Sequence, residues 1–139
     1  MLCCSYEVKF QAVIEAPPFD GHGLPIWQVE SRLEFERAVG VRAILLVFDR
    51  AGRTFEQTMA QLERGPRFDT NGGSPRRIYP LESFVERERW TSWWMAPTPT
   101  DASPVETLGR FGQELARRFL QNRGRLMQLD WITMTEGRC

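Results

Sequence analysis

The feature that most constrains the fold of this chain is a change in the spacing of its apolar residues. Over residues 6–12 apolar and polar side chains alternate, which is the period of a half-buried strand. Over residues 105–119 apolar side chains recur every three or four positions, which is the period of an amphipathic helix. The chain is therefore expected to combine strands and helices in an α+β fold.

Four further segments are predicted to be strands. Alternation resumes over residues 27–35, after a connection rich in proline and glycine, and predicts a long second strand antiparallel to the first. The apolar run at residues 42–49 indicates a third strand. Residues 126–136 alternate again as a last strand. Residues 77–84 are expected to add a short extra strand.

Two helix starts are marked by capping residues. Thr54 with Gln57 three positions later fits a capping box, and Gly65 fits the end of that helix. Ser103 followed by Pro104 is a stronger start, because serine accepts from the free amides of a first turn and proline suits the first helical position. The helix that follows carries the apolar stripe described above.

The two predicted helices are separated by a long connection, residues 66–102. It holds a glycine-rich loop and the tryptophans Trp90, Trp93 and Trp94. A connection of this length in a small domain is usually functional or partly structured. The tryptophans could stack on a planar substrate, or bury in the core or a subunit interface. We expect one domain over residues 1–139, with this stretch inserted between the helices.

Charge and hydropathy argue against several classes of protein. The formal net charge is zero, so nothing favours nucleic acid or an anionic membrane as the main partner. The longest apolar run, residues 43–48, is far shorter than the roughly 20 residues of a membrane span, and no signal peptide is expected. Cys3, Cys4 and Cys139 are not spaced as a disulfide framework or a zinc motif. We expect a cytoplasmic protein.

Several short motifs, in the order in which they occur, resemble those of the 6-pyruvoyl-tetrahydropterin synthase and 6-carboxy-tetrahydropterin synthase family, which has the tunnelling fold. Residues 10–14 resemble its first strand, and residues 22–24, His-Gly-Leu, resemble its His-Gly-His motif. Residues 62–64, Leu-Glu-Arg, stand where the family has Leu-Asp-His. Residues 103–108 resemble its Pro-Thr-x-Glu-Asn-Leu helix start, and residues 131–136 resemble its last strand. The resemblance implies an antiparallel sheet with two helices packed on one face.

The resemblance also implies a set of site residues. Glu136 matches the glutamate that anchors the planar ring, Glu63 takes the carboxylate position of the proton relay, and His22 is the histidine kept from the metal motif. These three are the candidate catalytic residues, and Glu136, Arg64 and Trp27 are the candidates for binding a small-molecule substrate. Four of these residues have a simpler explanation: a solvated turn for His22, a solvated helix end for Glu63 and Arg64, and an exposed acidic tail for Glu136.

No metal or cofactor is expected in this site. Ile14 and Leu24 replace two of the family's three zinc histidines, and His22 is the only histidine in the chain. Catalytic zinc needs three protein ligands. The family's cysteine is also missing, since residues 17–21 contain none. Pterin synthase activity itself is therefore not expected, although an imidazole can still transfer protons without a metal.

Two classes of function remain open. One is a repurposed, metal-free enzyme, a lyase or cyclase that uses acid–base chemistry to condense or cyclise a small planar nitrogen-bearing substrate, as in natural-product biosynthesis. The alternative is a catalytically inactive relative that acts as a binding or interaction protein. A nuclease-like metal site at Glu7-Val8-Lys9 is a weaker third option, because no suitable acid lies upstream. Closing the open sheet edges predicts a homo-oligomer, either a trimer or a hexamer of two stacked trimers.

Overall fold

Runs of two or three strands are separated by α-helices along the described chain. The computed structural model describes residues 4–94, 105–122, 127–129 and 133–136, the last two segments by their backbone alone. The strands are β1 (Cys4–Gln11), β2 (Ile14–Ala16), β3 (Phe19–Pro25), β4 (Arg42–Asp49), β5 (Thr54–Thr58), β6 (Phe68–Asp69), β7 (Arg76–Pro80), β8 (Val85–Arg87), β9 (Met127–Leu129) and β10 (Thr133–Glu136). The helices are α1 (Ile26–Val39), α2 (Met59–Arg64) and α3 (Val105–Asn122). The predicted α+β class is confirmed.

Two sheets organise these strands. The larger has the order β8-β5-β4-β1-β10-β9, and the smaller has the order β2-β3-β7-β6. β1 and β4 are parallel, whereas the other neighbours in both sheets are antiparallel. The chain leaves the large sheet after β1, builds β2 and β3 in the small sheet, and returns through α1 to β4.

The two faces of the large sheet carry separate cores. On the front face, Tyr6, Ile44 and Phe48 pack against Leu115 and Phe119 of α3. The amphipathic stripe predicted for this helix accounts for that contact. Full burial of one such apolar side chain contributes about 1.5–3 kcal/mol.

The back face of the large sheet is covered by α1, α2 and the small sheet. Leu45, Val47 and Phe55 pack there against Val29 of α1 and Leu62 of α2. The predicted packing of two helices on one face therefore needs a correction, because α3 lies on the face opposite to α1 and α2. A sheet with two apolar faces buries both of them only if helices or strands lie on both sides.

Residues 27–35 form most of α1, and the prediction of a strand there is wrong. Their alternation also fits a helix, because Val29 and Leu33 are four residues apart and both face the core. Gly40 ends the helix with a φ of 75° and donates its N–H to Glu36 O at 2.8 Å. This positive φ suits glycine at a helix end. In the sequence, Gly40 was therefore a sign that residues 27–35 belong to a helix rather than to a strand. The connection from β1 to β4 passes through β2, β3 and α1, and it is long enough for the two strands to run parallel.

The helix predicted to start at Thr54 begins one turn later. Residues 54–58 pair with β4 as β5, and α2 starts at Met59. Thr58 is the actual cap, since its Oγ1 accepts from the N–H of Gln61 at 3.2 Å. Thr58 and Gln61 repeat the spacing of the capping box, so the pattern was recognised one turn too early. Gly65 follows the last helical residue, as predicted.

The ends of the described chain give further outcomes. The last predicted strand is two antiparallel strands, β9 and β10, so the chain reverses direction between them.

The cap at Ser103 and Pro104 lies outside the described residues. β7 confirms a strand within residues 77–84. None of the helices in the described ranges has the length and apolar character needed to cross a membrane.

No disulfide framework was expected from the spacing of the three cysteines, and Cys4 departs from that expectation. This residue opens β1, and its sulfur is disulfide-bonded. The bonded sulfur on the other side lies outside the described residues. The spacing of cysteines along a chain does not show which of them meet in space, which is why the sequence did not reveal this bond.

Candidate functional site

An open groove lies on the front face of the large sheet, at the amino ends of β1 and β4. Its cavity volume is about 220 Å³. Strands β1, β4, β5 and β8 supply its lining, which comprises Cys4, Tyr6, Arg42, Ile44, Glu56, Gln57, Thr58, Val85 and Arg87. We call this feature the front groove. It exists because alternate residues of four neighbouring strands point to the same face of a sheet.

Charged residues of the front groove are paired unequally. Glu56 is buried, and its Oε2 accepts from Arg87 Nε at 2.9 Å. Arg42 is exposed at the first position of β4, and its side chain makes no hydrogen bond or ion pair within the described part of the chain. The groove thus combines an ion pair, between the buried carboxylate of Glu56 and the exposed Arg87, with a second cation, Arg42, whose donors still face water. Beside them, Ile44 and Val85 supply an apolar surface.

Glu136 lies at the edge of the front groove by its position in the sheet. In the backbone register Glu136 is opposite Cys4, and Cys4 is in turn opposite Arg42. These three residues therefore form one row across β10, β1 and β4. The prediction that Glu136 belongs to a site is not tested by its backbone alone, but the row leads directly into the lining of the groove.

His22 is on the other side of the molecule and is completely buried. Its Nδ1 lies 3.4 Å from Gln11 Oε1, and its ring is 5.2 Å from Phe55 and 6.2 Å from Phe84 between centroids. Its Nε2 is buried without a hydrogen-bond partner. Burial first, and the charge of Arg53 second, lower the pKa of His22 to about 4. The solvated turn considered for His22 is therefore wrong.

Glycines on both sides of His22 explain why this motif sits so deep. β3 and β7 approach so closely that a Cβ on Gly21 would lie 1.9 Å from the carbonyl oxygen of Tyr79. A Cβ on Gly23 would meet the carbonyl oxygen of Arg77 at the same distance. Only glycine fits these two positions. The His-Gly sequence that resembled a metal motif thus has a packing role in the small sheet.

Glu63 is the centre of a cluster at the end of α2. Tyr79 donates its hydroxyl to Glu63 Oε1 at 2.6 Å, Arg77 Nη1 lies 3.2 Å from the same oxygen, and Arg67 pairs with Oε2. Arg77 is also held by Asp69, Nε to Oδ1 at 2.8 Å. Burial raises the pKa of Tyr79, so its hydroxyl keeps its proton at neutral pH. Glu63 is thus fully occupied by donors from its own chain.

The two predicted substrate-binding residues apart from Glu136 are exposed, and neither lines the front groove. Arg64 is the last residue of α2 and is exposed. Trp27 is on the outer side of α1 with 64% of its surface exposed. Of the tryptophans in residues 66–102, Trp90 is buried and donates Nε1–H to Asp49 O at 2.8 Å. Its place in the core confirms one of the two alternatives for this group.

The described residues do not bring the predicted catalytic groups together within one chain. His22 is paired with Tyr79 across the small sheet, and Tyr79 reaches Glu63, so these residues share the back side of the large sheet. Glu136 is opposite Cys4, at the other end of β1 from Gln11, which contacts His22. A strand of that length spans roughly 23 Å. The length of β1 therefore separates the backbone of Glu136 from His22.

The tripeptide Glu7-Val8-Lys9 forms an ion-pair cluster. Glu7 is buried, its Oε2 accepts from Arg32 Nε at 2.6 Å, and its Oε1 lies 3.4 Å from Lys9 Nζ. That second contact is an ion pair without hydrogen-bond alignment. Within the described ranges no three His, Cys, Asp or Glu residues come together as metal ligands. The cluster instead ties β1 to α1.

No family model, curated protein or solved structure matches this chain. The relationship to pterin synthases therefore stays a prediction from the short motifs.

The sequence alone did not point to the residues that line the front groove. Arg42, Glu56 and Arg87 come from three strands, and nothing near them forms a motif. Arg42 stands before an apolar run, where a charged residue commonly marks the end of a strand. Only the pairing of β4 with β5, and of β5 with β8, brings the three side chains to one place.

Proposed function

We propose that this chain is a binding protein whose ligand, a small planar organic acid, occupies the front groove. The observation that carries the proposal is Arg42, an exposed guanidinium beside an apolar surface. Guanidinium groups bind carboxylates through paired, charge-assisted hydrogen bonds. A planar ring could lie on Ile44 and Val85 while its carboxylate reaches Arg42.

The size of the groove limits the ligand. Pockets for drug-sized molecules have volumes of about 300–1,000 Å³, and the front groove has about 220 Å³. One ring with a short acidic substituent suits this volume. A small contact of this kind gives modest affinity, and we expect a dissociation constant of roughly 0.1–1 mM for a single-ring acid.

Binding is proposed in preference to turnover because of the state of the acidic residues. Glu56 is committed to Arg87, and Glu63 is committed to Tyr79, Arg77 and Arg67. His22 is enclosed by aromatic rings on the opposite side of the sheet. The metal-free condensation expected from the family resemblance stays a prediction, to which these contacts add no support.

Calorimetric titration with benzoate tests the proposal, with benzylamine and benzyl alcohol as charge-reversed and neutral probes. Benzoate is expected to bind, and the other two to bind at least about tenfold more weakly. The ammonium of benzylamine has no acceptor and is repelled by Arg42, and the hydroxyl of benzyl alcohol offers one neutral acceptor in place of a charged pair of oxygens. Arg42→Gln should weaken benzoate by about 10- to 100-fold, since a hydrogen bond to a charged group contributes about 1.5–3 kcal/mol.

Arg64→Gln is the matched control, because Arg64 is an exposed arginine outside the groove. It should leave benzoate binding unchanged. Both variants should change the free energy of unfolding by less than about 0.5 kcal/mol, as is usual for exposed positions. The proposal fails if the three probes bind alike or not at all, or if the two arginine variants weaken benzoate equally.

A further inference from the structure

The outer face of α1 is apolar although the helix lies on the surface. Trp27, Phe35 and Val39 expose 64%, 41% and 56% of their surfaces. They are three of the four large apolar side chains that stand exposed in the described ranges. A surface helix normally turns its apolar side to the core and its polar side to water. α1 has apolar residues on both sides, since Val29 and Leu33 face the core.

These exposed residues form one stripe along the helix. Trp27, Ser31 and Phe35 follow each other at spacings of four, which places them above one another on a helix. Ala38 continues the stripe, and Val39 stands at its border. The helix of 14 residues is roughly 21 Å long, so the stripe runs along its whole length. An exposed apolar strip of this kind is typical of a protein–protein contact.

We propose that α1 packs antiparallel against α1 of a second copy of this chain, across a two-fold axis that crosses the outer face of the helix at the level of Leu33. In that arrangement Trp27 is opposite Val39 of the second copy, with Ala38 beside it. Ser31 is opposite Phe35 of the second copy. Each large side chain thus meets a smaller one, as packing of ridges into grooves requires. The pattern is complementary to itself, which is the condition for a two-fold contact between identical chains.

The charges beside the stripe support the same register. Glu30 and Arg37 are exposed and lie on the same flank of α1. Two-fold symmetry brings that flank of one helix next to the same flank of the other. With the axis at Leu33, Glu30 then lies within one residue of Arg37 of the second copy. The symmetry makes two such pairs of opposite charge.

A second copy is favoured over an unrelated partner because the stripe provides both halves of the contact. Its area is limited to one short helix, below the roughly 800 Å² per partner of a standard stable interface. The dimer is therefore expected to be weak, with a dissociation constant of roughly 1–100 µM. It leaves the front groove free, since α1 packs on the back side of the large sheet.

Sedimentation of the full chain over a range of concentrations tests the proposal. The chain is expected to shift from monomer to dimer in the micromolar range. Phe35→Glu should weaken the dimer by about tenfold or more, because it places a carboxylate in the apolar contact. Val85→Glu is the matched control, since Val85 is exposed to the same degree, 42%, on β8. It should dimerise normally, and circular dichroism should show both variants folded.

A charge exchange tests the antiparallel register itself. Glu30→Arg alone and Arg37→Glu alone should each weaken the dimer about fivefold, through loss of two surface ion pairs. The double variant restores opposite charges across the axis and should regain most of the affinity. A helix that only needed an apolar surface would not show this recovery.

Four results overturn the inference. A chain that stays monomeric at all concentrations excludes the second copy as occupant. A dimer or trimer whose dissociation constant is unchanged by Phe35→Glu forms through another surface. If Phe35→Glu and Val85→Glu weaken the dimer equally, the cause is a general effect of added charge and not the contact through α1. Failure of the double variant to recover excludes the antiparallel register.

Discussion

The two ends of the parallel pair β1 and β4 differ in how far their polar groups are exposed to solvent. At the carboxyl ends, Asp49 is buried and Gln11 is half-buried, and His22 packs beside them against Phe55. At the amino ends, Cys4 and Arg42 border the open front groove. The first region holds the strongly perturbed histidine, and the second holds the exposed cation. Only the second leaves room for a ligand.

The comparison teaches that a shifted pKa and an accessible site are separate properties. In open α/β sheets, ligands usually bind beyond the carboxyl ends of parallel strands. Here β3 and the β4–β5 turn occupy that position. Asp49 is buried there, and its Oδ1 accepts from the N–H groups of Ala51 and Arg53 at 3.0 and 2.8 Å. Burial raises the pKa of Asp49 and lowers that of His22. Desolvation is the largest cause of both shifts, so they indicate a dry interior.

The largest expected difference between the two regions is in packing. Phe55→Ala should lower the free energy of unfolding by about 3–5 kcal/mol, because it leaves a cavity beside His22 and Phe84. Val85→Ala at the front groove should lower it by less than about 1 kcal/mol, since Val85 is exposed. Urea unfolding measures both. Comparable losses of unfolding free energy in the two variants would contradict the distinction between a closed region around His22 and an open groove around Arg42.

The next effect is the pH dependence that His22 gives to stability. The unfolded chain binds a proton near pH 6.5, whereas the folded chain excludes it until about pH 4. Stability is therefore complete above about pH 6.5 and falls as the pH is lowered through this window. Between about pH 7.5 and pH 4.5 the loss from this residue should be roughly 2–3 kcal/mol.

His22→Gln isolates this contribution, because the same substitution leaves Asp49 and every other titrating group in place. The variant is expected to be less stable at neutral pH but to lose less stability on acidification than the parent chain. Urea unfolding at the two pH values gives the difference. Equal acid sensitivity in both chains would mean that His22 is accessible to protons in the folded state.

The smallest effect concerns the Glu63 cluster. Tyr79→Phe removes the hydroxyl that donates to Glu63 at 2.6 Å but keeps the buried ring. Glu63 retains Arg77 and Arg67, so the expected loss in the free energy of unfolding is about 1–2 kcal/mol. Thermal unfolding of the variant checks this. A loss near zero would show that the two arginines satisfy Glu63 without the phenol, while a loss similar to that of Phe55→Ala would indicate a buried, uncompensated charge.

Local pattern was enough for those parts of the fold that depend on near neighbours. The apolar run of β4 and the stripe of α3 were predicted because burial on one or two faces leaves a direct trace in the sequence. α1 was missed because apolar residues on its outer side, Trp27 and Phe35, turned a helical pattern into an alternating one. If the stripe is an interface, that error has a physical cause. Trp27 and Phe35 are then apolar because they contact a second chain, which a pattern of burial within one chain does not include.

The candidate site was less predictable than the fold. His22 was singled out as the only histidine, but its burial follows from the close approach of β3 and β7, which no motif encodes. Glu63 was singled out as a catalytic carboxylate, which stays a prediction, and the partners that hold it come from residues 67–79. Arg42, Glu56 and Arg87 meet only through strand pairing. Long-range pairing is what a single sequence encodes least directly.

The most direct test of the account is a map of where a small acid binds. In a ¹⁵N-labelled chain titrated with benzoate, the backbone amides of Arg42, Ile44, Thr58 and Val85 should shift together with one dissociation constant. The amides of His22 and Phe84 should stay unchanged, because no ligand reaches the closed end. Shifts centred on His22 and Phe84, or no saturable shifts around Arg42, would contradict the assignment of the front groove as the binding site.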